Sequence, residues 1–230
     1  MLGWGLAARG GVGRGLGVQR GAAAVPWYLS GGIDATNCIA AYDAKNAASL
    51  AASYVNLAKP GTYDAAPGVA PTWAAGTGWT FDGATQYLLT GVVPAAGWSF
   101  LIRFSGMTGS DRFVGAFVGS PANSFYLSPY YGGTGKTFYR IGSGYKDGSS
   151  AYVAAGVMGI SSVAGTGQGY LNGLADGGTF VPGTNTGAMS IGRLGMAAYW
   201  LPGVTIAYAL WNIQLSPAQM LAVSTAMAAL

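Results

Sequence analysis

The chain has no histidine and no glutamate, and its one cysteine is Cys38. Without imidazole, Ser-His-Asp and Cys-His mechanisms are excluded. One cysteine cannot supply the four ligands of a zinc site. Nor can it form an internal disulfide, so stability has to come from core burial and sheet hydrogen bonds. The lone thiol fits a reducing site of synthesis. Charge is scarce too: 8% of the residues are charged, against about 25% in an ordinary soluble domain. No apolar run reaches the ~18 residues of a membrane-crossing helix, so no membrane span is expected.

What is abundant is glycine, with 40 residues among 230, and apolar side chains, at 51%. The glycines fall in short clusters without a triplet period, which excludes collagen and points to turns between strands. A surface this poor in charge suits assembly, because few charges have to be desolvated when neighbours pack. The formal net charge is +4. Three uncompensated arginines, Arg9, Arg14 and Arg20, lie in a Gly/Arg/Ala segment over residues 1–32. Its arginines interrupt every apolar stretch that would make a signal peptide, so it reads as a retained N-terminal arm. The arm has too little to bury to order by itself. It is expected to dock on a neighbouring subunit, or to neutralise phosphates.

Residues 33–230 read as one all-β domain, an antiparallel two-sheet jelly-roll sandwich closed by a short C-terminal helix. Residues 33–72 look transitional, with one or two helical turns in Asp43–Ala52, and the sandwich is expected to begin near Trp79. Trp98, Phe100, Ile102 and Phe104 alternate with Ser99, Leu101, Arg103 and Ser105, the period of a half-buried strand. Further strands are predicted over 112–118, 124–130, 137–142, 157–163, 167–171, 189–193 and 204–213. Asn172-Gly173 reads as a hairpin tip. The 204–213 run is apolar on both faces and should be central and covered. Ser216-Pro217-Ala218-Gln219 is a capping box. It opens a helix whose Met220, Val223, Met227 and Leu230 share one face, expected to plug the sandwich edge or pack against a neighbour.

All seven acids are aspartates: Asp34, Asp43, Asp64, Asp82, Asp111, Asp147 and Asp176. No two are two or four residues apart, so the paired carboxylates of glycoside hydrolysis are missing. Asp111, or Asp147 with Ser149, offers at most a weak calcium loop, and a solvated turn aspartate is the plainer reading. Gly132-Gly133-Thr134-Gly135-Lys136-Thr137 resembles a phosphate loop. Tyr130 stands where the motif needs glycine, and a strand follows instead of a helix, so no nucleotide is expected. Cys38 reads as a small buried residue. No catalytic residue, metal ion or cofactor is assigned. Tyr126, Tyr130, Tyr131, Tyr139, Tyr145, Tyr199 and Trp200 lie in or beside predicted loops and are the candidates for stacking on glycan rings, although aromatics also fill cores and interfaces.

Three segments in order carry a family resemblance. Trp79-Thr80-Phe81-Asp82-Gly83 with Gln86-Tyr87-Leu88 looks like an opening strand of concanavalin A-like, laminin-G-like domains. Gly169-Tyr170-Leu171-Asn172-Gly173 is similar to their ligand-side hairpin. Ser190-Ile191-Gly192-Arg193, Leu201-Pro202-Gly203-Val204 and Leu210-Trp211-Asn212 with Leu215-Ser216-Pro217-Ala218-Gln219 resemble their closing strand and helix. The resemblance covers about residues 70–230, and the Ala/Gly-rich style is similar to bacteriophage and prophage versions. It implies a non-enzymatic structural or adhesive protein of a virion surface: a capsid decoration, or a tail-fibre or baseplate component. Such a protein would form a homo-oligomer or larger virion assembly through its arm, with surface glycans as possible contacts. The alternative is a secreted, extracellular carbohydrate-binding module. A polysaccharide hydrolase ranks last, since the family's paired-acid motif is absent, as is the metal-binding set of its legume lectins.

Overall fold

The computed structural model describes residues 24–109, 112–118, 120–194 and 199–230. Arg9, Arg14 and Arg20 lie outside the described residues. The strands run in chain order as β1 (Cys38–Asp43), β2 (Ala66–Val69), β3 (Thr72–Ala74), β4 (Gly78–Phe81) and β5 (Tyr87–Leu89). Next come β6 (Ser99–Ser105), β7 (Arg112–Val118), β8 (Ser120–Tyr131), β9 (Lys136–Ile141) and β10 (Gly144–Ala151). β11 (Gly156–Val163), β12 (Thr166–Leu171), β13 (Leu174–Ala175), β14 (Ser190–Ile191) and β15 (Gly203–Trp211) complete the set. One short helical turn, α1 (Leu50–Ser53), follows β1, and the long helix α2 (Pro217–Ala228) closes the chain.

All strand pairs are antiparallel and form two sheets. The larger orders its strands β13-β12-β11-β6-β15-β4-β3, and the seven-stranded one β10-β9-β8-β7-β14-β5-β2. β15 is the hub of the larger sheet. One of its edges pairs along its length with β6, while the other is shared end to end by β4, at residues 203–205, and β1, at residues 207–211. The sandwich therefore begins at Cys38, well before Trp79. β1 is made by its pairing with β15 and by Asn56. The buried Asn56 amide accepts from the Ala41 amide (2.9 Å) and donates to the Ile39 carbonyl (2.9 Å), satisfying the edge that no strand covers.

Alternation sorts each strand between two apolar layers. Phe100, Ile102 and Phe104 of β6 and Tyr208 and Leu210 of β15 meet Phe125, Leu127, Tyr139 and Ile141 in the space between the sheets. The opposite faces of the same strands, Leu101, Ala207, Ala209 and Trp211, lie under α2 with Met220, Val223 and Met227. The alanines keep that surface flat enough for a helix to sit on. The helix thus covers the outer face of the larger sheet, not the sandwich edge. Both arms of its capping box are made: Ser216 N–H donates to Gln219 Oε1 (3.0 Å) and Gln219 N–H to Ser216 Oγ (3.3 Å). At the other end Arg103 donates to the Met227 carbonyl (2.7 Å). The end of the expected arm joins this layer. Trp27, Tyr28 and Leu29 pack beside α2, and the Trp211 indole donates to the Tyr28 carbonyl (3.0 Å). Asn172 (φ 51°) and Gly173 (φ 81°) make the left-handed pair of a tight hairpin turn. A side chain at Gly173 would strike Leu221 of α2, so this hairpin belongs to the helix-covered face.

Candidate functional site

With its own long helix lying over the larger sheet, the seven-stranded sheet is the one that presents side chains outward. Its register places Gly115, Tyr126, Arg140 and Tyr145 directly opposite one another on β7, β8, β9 and β10. Phe138, two residues before Arg140, points the same way. Its ring stacks between Tyr126 (centroids 5.9 Å apart, planes 23° apart) and Tyr145 (5.6 Å, 23°), and Tyr131 leans on it at 4.8 Å. Arg140 holds its guanidinium carbon 5.1 Å from the Tyr145 ring and donates from Nε to the Gly142 carbonyl (2.9 Å). Tyr145 is 56% exposed, whereas Phe138 and Tyr126 form the buried floor. Burial raises the Tyr126 phenol above its usual range, and Arg140 beside it opposes the shift.

A small hairpin lies across this face. Leu201 N–H donates to the Gly192 carbonyl (2.9 Å) and Leu194 N–H to the Tyr199 carbonyl (2.8 Å), with Arg193 bridged to Trp200. Leu194 bridges Gly115 and packs on Tyr126 and Phe138, which brings the half-exposed Tyr199 near Tyr126. Arg193, one residue back, sets its guanidinium carbon 3.4 Å from the Tyr87 ring and 5.9 Å from the Trp200 ring. Tyr87 in turn lies flat over Gly68, where a Cβ would come within 2.0 Å of the ring.

Of the seven aromatic candidates, Tyr126, Tyr131, Tyr145 and Tyr199 come together here, and Trp200 stands on the same hairpin beside Tyr87. Tyr130 lies apart, edge-on to Tyr152 (5.3 Å), in an open groove of about 510 Å³ with Thr108 and Ala151. Tyr139 is no contact residue. It points between the sheets, fully buried, and its hydroxyl donates to Asp176 (2.8 Å). Phe138 and Arg140 take the outward places instead. The signal was the inward set Thr137, Tyr139 and Ile141 at a period of two, which leaves residues 138 and 140 facing out.

Each described aspartate accepts hydrogen bonds from nearby groups. Asp34 takes Thr36, Asp43 takes Asn46, and Asp64 takes the Asn56 and Gly61 amides. Asp82 accepts the Ala84, Thr85 and Gln86 amides and the Thr85 hydroxyl. Burial works to raise its pKa, but these bonds, led by Thr85, hold it well below the carboxylate range. Asp147 accepts from Thr134 (3.3 Å). Asp176 is buried and takes five donors: the Ser149 and Ser150 amides and the hydroxyls of Ser149, Thr137 and Tyr139. Ser149 therefore faces Asp176, not Asp147. Asp111 lies outside the described residues. Among those described, no three His, Cys, Asp or Glu side chains come together to hold a metal ion. Residues 132–135 form the turn between β8 and β9, with no helix behind it. Cys38 is buried, and burial pushes its thiol up to about 12.

No protein-family model and no curated protein sequence matches the chain. Solved structures do. The chain is similar to domain 4 of an extracellular family-43 arabinanase from Geobacillus stearothermophilus, solved with arabinotriose. The TM-score is 0.54 and the identity 17%, over 82% of this chain and 98% of that domain. It is also similar to Trypanosoma rangeli sialidase, with a TM-score of 0.58 and 13% identity over 82% of this chain. The match spans about a third of the sialidase, 32% of its length. At these identities the likeness establishes the fold: a sandwich of two antiparallel sheets. It also corrects the expectation of a virion-surface role. The two matched structures are an arabinanase domain and a sialidase, neither of them a capsid, tail-fibre or baseplate component.

Proposed function

We propose that this domain is a non-catalytic carbohydrate-binding module of the concanavalin A-like kind, acting outside the cell and holding a glycan chain on the outer face of its seven-stranded sheet. The observation that carries the reading is the platform itself. Exposed Tyr145 and Tyr199 flank a floor of Phe138 and Tyr126, and Arg140 supplies donors among the rings. The C–H face of a sugar packs on such rings, while phenol and guanidinium groups bond its hydroxyls. The matched arabinanase domain, solved with arabinotriose, supports a glycan ligand. Each of the six described aspartates is already engaged by nearby donors, which supports a role without proton transfer.

Calorimetric and NMR titration with arabinotriose and a panel of oligosaccharides tests this. Binding is expected to move the amides of residues 126–145 and 199–200, and Tyr145→Ala should weaken it at least about threefold, the worth of one aromatic contact. Shifts confined to the Tyr130–Tyr152 groove, with full affinity in Tyr145→Ala, would refute the placement. Polysaccharide turnover by the purified protein would refute the non-catalytic part.

A further inference from the structure

We infer that the glycan held on this face is acidic, and that Arg193 reads its carboxylate. The inference rests on the binding function proposed above and names its ligand class. Arg193 is a guanidinium fixed in place before any ligand arrives: Tyr87 lies against it at 3.4 Å and Trp200 at 5.9 Å, and Gly68 lets the Tyr87 ring lie flat beneath. Its Nε is buried and has no hydrogen-bond partner among the described residues. Buried donors are rarely left so, because the loss of water is not compensated. Arg103 on the other sheet shows the contrast, being committed to the Met227 carbonyl at the end of α2.

The surroundings favour an anion as well. β9 carries Lys136 and Arg140 on the outward face, against Asp147 opposite Phe138 on β10. Leu194, next to Arg193, packs on Tyr126 and Phe138, so the segment that carries the cation also closes over the aromatic floor. A planar guanidinium matches a carboxylate with two parallel N–H donors, and a uronic acid unit offers that group on an otherwise stackable ring.

The test compares trigalacturonate, its methyl ester, arabinotriose and a sulfated oligosaccharide by calorimetry on the wild-type chain and on Arg193→Met, which keeps an unbranched stem between the rings. Trigalacturonate should bind at least about tenfold more tightly than its ester or arabinotriose, as expected of one charge-assisted pair. Arg193→Met should remove that preference. Equal binding of acid and ester by the wild type overturns the inference without needing any variant. If Tyr145→Ala still weakens both ligands, the binding function stands alone. Stronger binding of the sulfated sugar overturns the carboxylate assignment, and no binding of any glycan overturns both readings.

Discussion

Replacing Asp176 by asparagine should expose how the sandwich is fastened at its β10 edge. The carboxylate is buried and receives the Ser149 amide (2.9 Å), the Ser150 amide (2.9 Å) and the Ser149 hydroxyl (2.9 Å) on one oxygen. On the other it receives Thr137 (2.5 Å) and Tyr139 (2.8 Å). No cation is among these partners; five neutral donors stabilise the charge. Asparagine keeps one carbonyl for the two amides, which cannot turn away. Its NH2 must then face Thr137 and Tyr139, whose hydroxyls have to rotate from donating to accepting. Hydrogen bonds to a charged group are worth roughly 1.5–3 kcal/mol each, and the retained neutral bonds recover part of this, so the net loss should be about 2–4 kcal/mol. For a domain of this size that is a fall in Tm of roughly 5–12 °C.

The dependence on pH makes the test sharper. Burial acts to raise the Asp176 pKa, but bonds from Thr137, Tyr139, Ser149 and Ser150 hold it below its ordinary value. A depressed carboxylate stabilises the fold fully above the unfolded value near ~3.9 and loses that contribution as pH falls through the folded value. The Tm gap between wild type and Asp176→Asn should therefore be flat at neutral pH and narrow below about pH 4. Paired thermal melts at pH 7, 5 and 3 would measure it. A gap below about 2 °C at pH 7, or one that does not close in acid, would refute the account of Asp176 as a charged anchor.

Other outcomes follow from the same structure. Asn56→Ala strips β1 of its side-chain edge partner and leaves the Ala41 amide and Ile39 carbonyl buried, at a cost of about 2–4 kcal/mol by urea unfolding. Ser216→Ala removes one arm of the α2 capping box and should cost about 1 kcal/mol, read as a small Tm shift with an unchanged fold. Cys38 should resist a thiol reagent such as DTNB in native buffer and react fully on unfolding, since its thiol is buried and pushed up to about 12. Rapid native labelling would show that β1 opens away from β15.

What could be read from the sequence was what short stretches decide alone. The alternation of β6, the two-faced apolar run of β15, the Asn172-Gly173 turn and the α2 capping box are each written within about ten residues, and each stands where expected. β1 was not legible because Cys-Ile-Ala-Ala-Tyr-Asp has weak strand character, and its pairing partner lies some 170 residues downstream. β10, Gly-Tyr-Lys-Asp-Gly-Ser-Ser-Ala, has the composition of a loop and is a strand by virtue of pairing with β9. The candidate site was half visible. Loop-adjacent positions point to four of its tyrosines, but they point equally to Tyr139, which is buried, and pass over Phe138, which faces outward. Tyr87 and Arg193 are over a hundred residues apart, and nothing local in either segment announces that one will lie on the other.

The hub position of β15 has a consequence for biosynthesis. As the chain leaves the ribosome, β1, β4 and β6 emerge before the strand that all three must pair with. Until residues 203–211 appear, the larger sheet lacks its middle, and those three strands expose unpaired backbone to one another and to bystanders. Completion of this fold should therefore wait for residues 203–211 and be sensitive to crowding of nascent chains. A stop codon just ahead of Gly203 should yield aggregate in place of a smaller domain.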